Sequence, residues 1–253
     1  MPCTLYPRAE NRPIHKDRPA SPMTEPHKTN NRRAAVLDLA LILLVIIAVK
    51  SGVGLFAWKF AGPISLLSGV IVATALLHRR GETWADLGLK WPAGFRGWGL
   101  FLPQVILVIA AFVAASVFVS PLIEPYFPRP ETYEDRFEGI YQNTSYFLLW
   151  LSIAIIHGGF FEEMIYRGFF ITRIEKILGG VPGRILLAII LAAVIFGVRH
   201  AYYQHVHGAI VTGAAALLLG ILYVLFRRNL AALITAHALI GILNMVVRYT
   251  SET

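Results

Sequence analysis

The sequence predicts an all-α fold, a polytopic bundle of transmembrane helices, and three observations support this prediction. Of the 253 residues, 56% are hydrophobic and 15% are charged, and the mean hydropathy is +0.61. Apolar runs of the ~20 residues needed to cross a hydrocarbon core of ~30 Å recur along the chain. Ten of the charged residues lie within the first 33 residues, so the rest of the chain is even poorer in charge.

The same composition excludes several other classes of protein. A disordered chain needs low hydrophobicity and a collagenous chain needs a Gly-X-Y repeat, and neither is present. Cys3 is the only cysteine, so no disulfide can form within the chain. A formal charge of +8 would suggest nucleic-acid binding in a soluble protein, but basic loops in a membrane protein orient its helices. We therefore expect a lipid bilayer around the protein and no nucleic-acid partner.

The first part of the chain differs from the rest. Residues 1–33 are rich in Pro, Arg, Asn and His and have no apolar period, which predicts a disordered basic tail. Met23 is a candidate for the true start of the protein. The next apolar run has no clear small-residue cleavage site, so a cleaved signal peptide is not predicted. Residues 34–253 are predicted to form a single transmembrane domain.

Seven apolar runs predict about seven transmembrane spans. The first run is interrupted by Lys50 and Gly52 and the fourth is overlong, so six to eight spans are compatible with the pattern. Residues 82–90 carry mixed charges and lie beside two tryptophans, which predicts a short interfacial helix. The predicted spans cover residues 35–58, 61–78, 98–119, 146–177, 184–200, 209–226 and 230–248.

The charged loops predict the orientation of the spans. If seven spans alternate, the loop 120–145 falls on one side of the membrane and is mainly acidic. Because basic residues accumulate in the cytoplasm, the amino terminus is predicted to be cytoplasmic and the carboxyl terminus to lie outside. The basic residues on the predicted cytoplasmic side are Arg32, Arg33, Arg79, Arg80, Lys90, Arg96, Arg173, Lys176, Arg184, Arg227 and Arg228.

Ionisable residues inside the fourth span indicate a functional site. A charge at the centre of a span costs at least ~2.5–3.5 kcal/mol on insertion scales, so such residues line cavities or pair with one another. Glu163 and Arg167 are four residues apart, which places them on one helix face as an ion pair. Glu162 is rotated by about 100° from Glu163 and is free to meet another partner.

Two later spans add polar groups to the same interior. His200 ends the fifth span, and the seventh contains His237, with Asn244 two helical turns further along the same face. The helical rise places Glu162 and His200 level, both roughly 26 Å from the turn that joins their helices. His237 is only about 13 Å from the turn at Arg227-Arg228. Either that turn is recessed or a helix is broken.

Structural roles are the alternative interpretation. Glu163 and Arg167 can hold two helices together, and we expect this role even in an enzyme. A lone histidine in a span is more often a hydrogen-bonded packing residue than a ligand. The coincidence of Glu162 with two imidazoles favours function, since a carboxylate and two imidazoles can bind a metal or orient a water. Three other histidines are predicted to lie in loops or at the interface: His157, His205 and His207.

These motifs resemble those of the CPBP intramembrane proteases. They are Glu-Glu-x-x-x-Arg at 162–167, Phe-x-x-x-His at 196–200 and a later intramembrane His237, in that order on separate helices. The family includes the type II CAAX prenyl endopeptidases and the bacterial abortive-infection or bacteriocin-immunity proteins. The resemblance covers about residues 145–245. It implies an intramembrane endopeptidase, here expected in a bacterial cell membrane, that acts on a peptide or membrane protein, prenylated in part of the family.

The resemblance also implies a role for each residue of the motifs. Glu162 would be the general base that takes a proton from the attacking water. His200 and His237 would either bind Zn²⁺ together with Glu162 or donate hydrogen bonds to the water and to the developing oxyanion. Glu163 and Arg167 would fix the helix and hold Glu162 in place.

The chain departs from the family at one position. The family usually has Asn or Asp four residues after the last histidine, where this chain has Gly241. Asn244, from the same helix face, is the candidate to replace it.

Two functions of other classes remain alternatives at this point. The first is a non-catalytic immunity or scaffold protein that keeps the polar cluster for packing. The second is a proton-coupled transporter in which Glu162 and the histidines form a relay. Transporters often contain paired inverted repeats, and the first half of this chain has no counterpart of the Glu-Glu motif.

Overall fold

The structure is a computed structural model that describes residues 26–131 and 134–251. These residues contain no β-strand, so the predicted all-α fold is confirmed. Residues 1–25 of the predicted disordered tail lie outside the described residues, as does Met23. Residues 26–33, the end of the predicted tail, belong to the first helix.

The described residues form seven α-helices, three π-helical segments and a short 3₁₀ helix, Asp135–Phe137. The π segments follow α2 and α4 without a break in the chain, so they widen helices that continue on both sides. The α-helices are α1 (Pro26–Arg79), α2 (Gly94–Ala114), α3 (Ser120–Ile123), α4 (Thr144–Ile153), α5 (Ile171–Leu178), α6 (Arg184–Leu225) and α7 (Ala231–Thr250), and the π segments are π1 (Ala115–Val119), π2 (Ala154–Phe161) and π3 (Glu163–Phe170).

The predicted number of seven spans is not confirmed, because five helices of the described chain are long and apolar enough to cross a membrane. Two of them fold back on themselves. A straight α-helix with the 54 residues of α1 would be about 81 Å long. Yet Arg80, just after α1, donates to Asp38 near its start, and Gly69 lies against Ile46. The chain reverses at Ala57, which has non-helical backbone angles (φ −147°, ψ 60°).

Helix α6 reverses in the same way. His205 has a φ of 53° and a ψ of −157°. A Cβ on Gly197 would come within 2.4 Å of the Ala209 carbonyl oxygen, and one on Gly220 within 2.6 Å of Ile189. The two halves of α6 are therefore packed backbone to backbone at Gly197, which only glycine permits at such a contact, and the Ile189 side chain packs onto the backbone at Gly220. Both reversals, at Ala57 and His205, lie where the sequence predicts the end of one span and the start of the next.

Basic residues from the carboxyl ends of α1 and α5 lie together at one end of the bundle, which we call the basic end. Arg80 and Arg173 both donate to the buried Asp38, and Arg173 and Lys176 both donate to Glu82. Burial raises the pKa of Glu82, but the hydrogen bonds from Lys176 and Arg173 outweigh it, so the pKa lies below its ordinary value. The hydrogen bond to Asp38 raises the pKa of Arg80. The cytoplasmic location of this end stays a prediction.

The predicted interfacial helix over residues 82–90 is wrong: this segment is a series of turns. Asp86 accepts hydrogen bonds from both the backbone and the hydroxyl of Thr83, which favours a turn over a helix. Gly88, with φ at +98°, then lies so close to the turn between α6 and α7 that a Cβ would be 1.8 Å from the Arg228 carbonyl oxygen. Leu230 donates its backbone N–H to Gly88 and is fully buried.

The segment 82–90 therefore covers the turn between α6 and α7. The turn is recessed behind this segment, with Arg227 exposed and Phe226, Arg228 and Asn229 partly buried, which agrees with the first of the two explanations that the sequence leaves open for the depth of His237. The recess brings the start of α7 inside the bundle, and Ala231, Ala232 and Leu233 are all about 1% exposed or less.

We predict that Gly88→Ala lowers the thermal unfolding midpoint of the detergent-purified protein more than Gly81→Ala does. Both glycines have positive φ, so both variants carry backbone strain of about 1–3 kcal/mol. Only at Gly88 does the new methyl group meet a backbone carbonyl, since nothing lies within 4 Å of the corresponding position at Gly81. Equal losses of stability in the two variants would show that the recessed turn does not depend on this contact.

Candidate active site

Glu162 lies between π2 and π3 and is 3% exposed. Its Oε1 atom accepts a hydrogen bond of 2.7 Å from Arg199 Nη1. His200 Nε2 is 4.0 Å from the same oxygen, and His237 Nε2 is 3.8 Å from Oε2. Both distances exceed a direct hydrogen bond. The structure thus brings together the three residues that the sequence places on separate helices.

The ring of His200 has a defined orientation. Its Nδ1 atom is 2.9 Å from the carbonyl oxygen of Phe196, one helical turn earlier. A carbonyl oxygen only accepts, so Nδ1 carries the proton in this contact. In the neutral ring Nε2 is then an acceptor that faces Glu162.

Glu163 holds His237 in position, whereas the family resemblance implies that it holds Glu162. Its Oε1 atom is 2.7 Å from His237 Nδ1 and accepts a 3.1 Å hydrogen bond from Arg167. Glu163 is fully buried and Arg167 is 2% exposed. The predicted Glu163–Arg167 ion pair is therefore present, and it also fixes the ring of His237 on α7. The adjacent carboxylates serve different partners, as their rotation around the helix predicts.

Arg199 is a site residue that the sequence interpretation missed. It is 9% exposed, and besides Glu162 its Nη2 atom contacts the Gly62 carbonyl at 3.3 Å and His157 Nε2 at 2.7 Å. Its position in the sequence is sufficient to identify it, because an arginine within the predicted fifth span is as costly in lipid as Glu162 is in the fourth span.

His157 lies in the site, so its predicted placement in a loop or at the interface is wrong. Arginine can only donate, so His157 Nε2 accepts from Arg199, and its Nδ1 atom is 3.7 Å from Glu162 Oε1. In an α-helix residues five apart are offset by about 140°. The π-helical pattern, in which residues i and i+5 are bonded, brings them to one face. His207 is also buried, beside Ser120 and Glu124, and not in a solvated loop.

Two cavities meet at the catalytic candidates. Glu162, His200 and His237 line both a cavity of about 170 Å³ and a larger one of about 520 Å³. Asn244 lines only the larger cavity and is exposed, and it has no side-chain hydrogen bond to Glu162 or to either histidine. The side chain of Asn244 therefore makes no contact by which it would take the place of the family asparagine.

Close helix packing accounts for Gly241. A Cβ at this position would lie 3.1 Å from the Cβ of Ala154 and 3.3 Å from its carbonyl oxygen. One turn earlier, a Cβ on Gly159 would be 2.7 Å from the Cβ of Ala238. Helix α7 and π2 therefore approach through small residues, and an asparagine at 241 would require Ala154 to move.

The predicted zinc ligands do not fit a metal ion as they are arranged. Within the described residues, no group of three His, Cys, Asp or Glu side chains could hold one. Zinc binds imidazole nitrogen and carboxylate oxygen at about 2.0–2.2 Å. The Arg199 guanidinium occupies Glu162 Oε1, and a cation there repels a divalent ion.

We predict that Arg167→Met lowers the free energy of unfolding by about 3–5 kcal/mol, because it leaves the buried Glu163 without its arginine. Lys59→Met is the matched control. It removes a cation from the exposed Lys59–Glu138 pair and should cost about 0–1 kcal/mol. Titration of both variants with SDS in mixed micelles measures the two values. A loss in Arg167→Met no larger than in Lys59→Met contradicts the assignment.

A comparison with known protein families found a match to part of the chain. Residues 144–243 match the family described as type II CAAX prenyl endopeptidase Rce1-like. This range contains both glutamates, Arg167, His200 and His237, and it ends one residue before Asn244. The comparisons with curated proteins and with solved structures found no match. Residues 144–243 are therefore similar to an Rce1-like domain, and this match supports the relationship to the CPBP intramembrane proteases that the motifs predict.

Proposed function

We propose that this protein is an intramembrane endopeptidase in which Glu162 activates a water molecule. The observation that carries the proposal is the convergence of one buried carboxylate and two imidazole Nε2 atoms, 3.8 and 4.0 Å from its two oxygens, where two cavities meet. These separations are too long for direct hydrogen bonds and suit a bridging water. Membership of the Rce1-like family supports peptide hydrolysis.

The reaction needs a base that faces the water. Glu162 accepts a proton from the water as its oxygen attacks the peptide carbonyl carbon, and the carbonyl becomes an oxyanion. The C–N bond then breaks as the protonated Glu162 returns the proton to the leaving nitrogen. His200 Nε2 accepts a hydrogen bond from the second O–H group of the water and so orients it. Nε2 can accept because the ring proton is on Nδ1, which donates to the Phe196 carbonyl oxygen.

His237 is suited to stabilise the oxyanion. Glu163 accepts a hydrogen bond from its Nδ1 atom, which orients the ring so that Nε2 lies 3.8 Å from Glu162 Oε2. When the ring carries a proton on both nitrogens, Nε2–H donates to the oxyanion. Glu163 and Arg167 act through His237 as positioning residues.

Arg199 balances the charge of the site during the reaction. At rest it pairs with Glu162. When Glu162 takes the proton, the guanidinium loses an anionic partner while the oxyanion gains a negative charge. Arg199 therefore supplies electrostatic stabilisation in a site where Gly241 offers no side chain.

The substrate is a peptide or membrane protein that reaches the site from the larger cavity. That cavity of about 520 Å³ extends from Glu162 toward Asn244 and Arg248, which leaves room for an extended peptide segment. We include a prenylated substrate only because residues 144–243 match the type II CAAX prenyl endopeptidases.

We predict that Glu162→Gln reduces cleavage by about 10²–10⁴-fold, which is the usual contribution of a positioned general base. The assay uses detergent-purified protein with two fluorogenic peptides, one carrying a farnesylated cysteine three residues from its carboxyl end and one without the lipid. Glu138→Gln is the control, since Glu138 pairs with Lys59 at the protein surface. Cleavage by Glu162→Gln at the wild-type rate would refute the proposed base.

We also predict that dialysis against EDTA leaves the cleavage rate unchanged, because Arg199 and the histidines supply the charge stabilisation without a metal. Elemental analysis of the same sample should find no stoichiometric zinc. Loss of activity on dialysis and its recovery on addition of Zn²⁺ would show that the site rearranges around a metal.

A non-catalytic scaffold or immunity role is the second candidate. The ion pair between Glu162 and Arg199 favours it, because a paired carboxylate is a weaker base and a stronger structural contact. Under this function no peptide is cleaved by the folded wild type, and Glu162→Gln lowers the unfolding midpoint instead.

A further inference from the structure

A polar cavity of about 250 Å³ lies at the basic end, away from the candidate active site. The lining side chains comprise four that are basic and two that are acidic, so the cavity carries an excess of positive charge. It is formed by Ala34, Ala35, Asp38, Arg79, Arg80, Glu82, Arg173 and Lys176.

The two carboxylates do not satisfy all the donors of this cavity. Asp38 accepts two hydrogen bonds from Arg80 and one from Arg173, and Glu82 accepts one each from Arg173 and Lys176. Arg173 is 1% exposed, and its Nη1 atom is buried without a hydrogen-bond partner. A buried, unsatisfied guanidinium nitrogen is costly and usually marks a missing partner.

Arg79 lies at the rim of the same cavity with its charge unused. It is exposed, and it makes no hydrogen bond or ion pair with any residue in the described ranges. The cavity therefore has an exposed cation without a partner and, in its lining, a buried cation that stacks on the Phe169 ring, 4.6 Å from the ring centroid. A free guanidinium beside an excess of positive charge suits a phosphate group.

The cavity is located at the ends of two membrane-spanning helices, the first of which contributes both of its ends. Ala34 and Asp38 are in the first turns of the span that begins at Arg32, Arg79 is the last residue of that same folded-back helix, and Lys176 is near the end of the span that finishes at Leu178. Helix ends of this kind lie at the depth of the lipid headgroups, where anionic phosphates are concentrated.

We propose that this cavity binds a phosphate group, which its depth identifies as the headgroup of an anionic phospholipid. The phosphate oxygens accept from the exposed Arg79 and neutralise the excess positive charge of the cavity, to which the buried Arg173 contributes. Lipid binding here joins the start of α1 to the end of α5, and through α5 to the π segment that carries Glu163 and Arg167. This inference does not depend on proteolysis.

The test measures the thermal unfolding midpoint of detergent-purified protein with three additions in parallel: phosphatidylglycerol, phosphatidylcholine and inorganic phosphate. We expect phosphatidylglycerol to raise the midpoint of the wild type by about 2–4 °C or more relative to phosphatidylcholine. Arg79→Gln should lose most of this rise and Arg79→Glu all of it. Both variants should fold, because Arg79 has no partner to lose.

Arg96→Gln is the matched control, since Arg96 is an exposed arginine without contacts to the described residues and does not line the cavity. It should keep the full rise. An equal rise with inorganic phosphate at millimolar concentration, again lost in Arg79→Gln, supports the phosphate site and identifies free phosphate as its source. The proposal is overturned if neither phosphate-bearing addition stabilises the wild type, or if Arg79→Gln and Arg96→Gln respond alike.

Discussion

Two adjacent carboxylates inside one membrane helix impose the main constraint on this bundle. A charge buried in a low-dielectric interior must be paired. Glu162 and Glu163 point to different sides of their helix, so they draw partners from different neighbouring helices. Glu163 takes Arg167 from its own helix and His237 from α7, whereas Glu162 takes Arg199 from α6. The packing of α6 and α7 against the π segments is therefore fixed by charge as well as by apolar contact.

Two backbone features allow these partners to meet. The π-helical stretch before Glu162 turns His157 toward the same side as the carboxylate, and the recessed turn after α6 lets α7 begin inside the bundle. Gly88 makes that recess possible, because any side chain there would collide with the Arg228 carbonyl. The early start of α7 inside the bundle brings His237 Nδ1 to 2.7 Å from Glu163 Oε1.

The sequence predicts what depends on composition and on single positions, and it fails where backbone geometry decides. Hydropathy was sufficient for the helical class, and the cost of intramembrane charge was sufficient to group Glu162 with His200 and His237. The π-helical geometry has no signature in the apolar pattern, so His157 was placed outside the site. The number of helices is not predictable from hydropathy for a related reason. Hydropathy separates two apolar runs on either side of His205, whereas the structure keeps them in one helical segment of 42 residues that reverses there.

The charge balance of the site bears on how it can work without the family asparagine. Glu162 and Glu163 face Arg167 and Arg199, so the four charged groups sum to zero when the histidines are neutral. In the proposed mechanism, proton transfer from water to Glu162 leaves this sum unchanged, because the carboxylate charge passes to the oxyanion. Arg199, whose Nη1 atom lies 2.7 Å from that carboxylate, is in place before the reaction, and such preorganisation is the largest single source of catalysis in many enzymes. The ion pair that holds Glu162 at rest is thus, in this proposal, also the source of the electrostatic stabilisation.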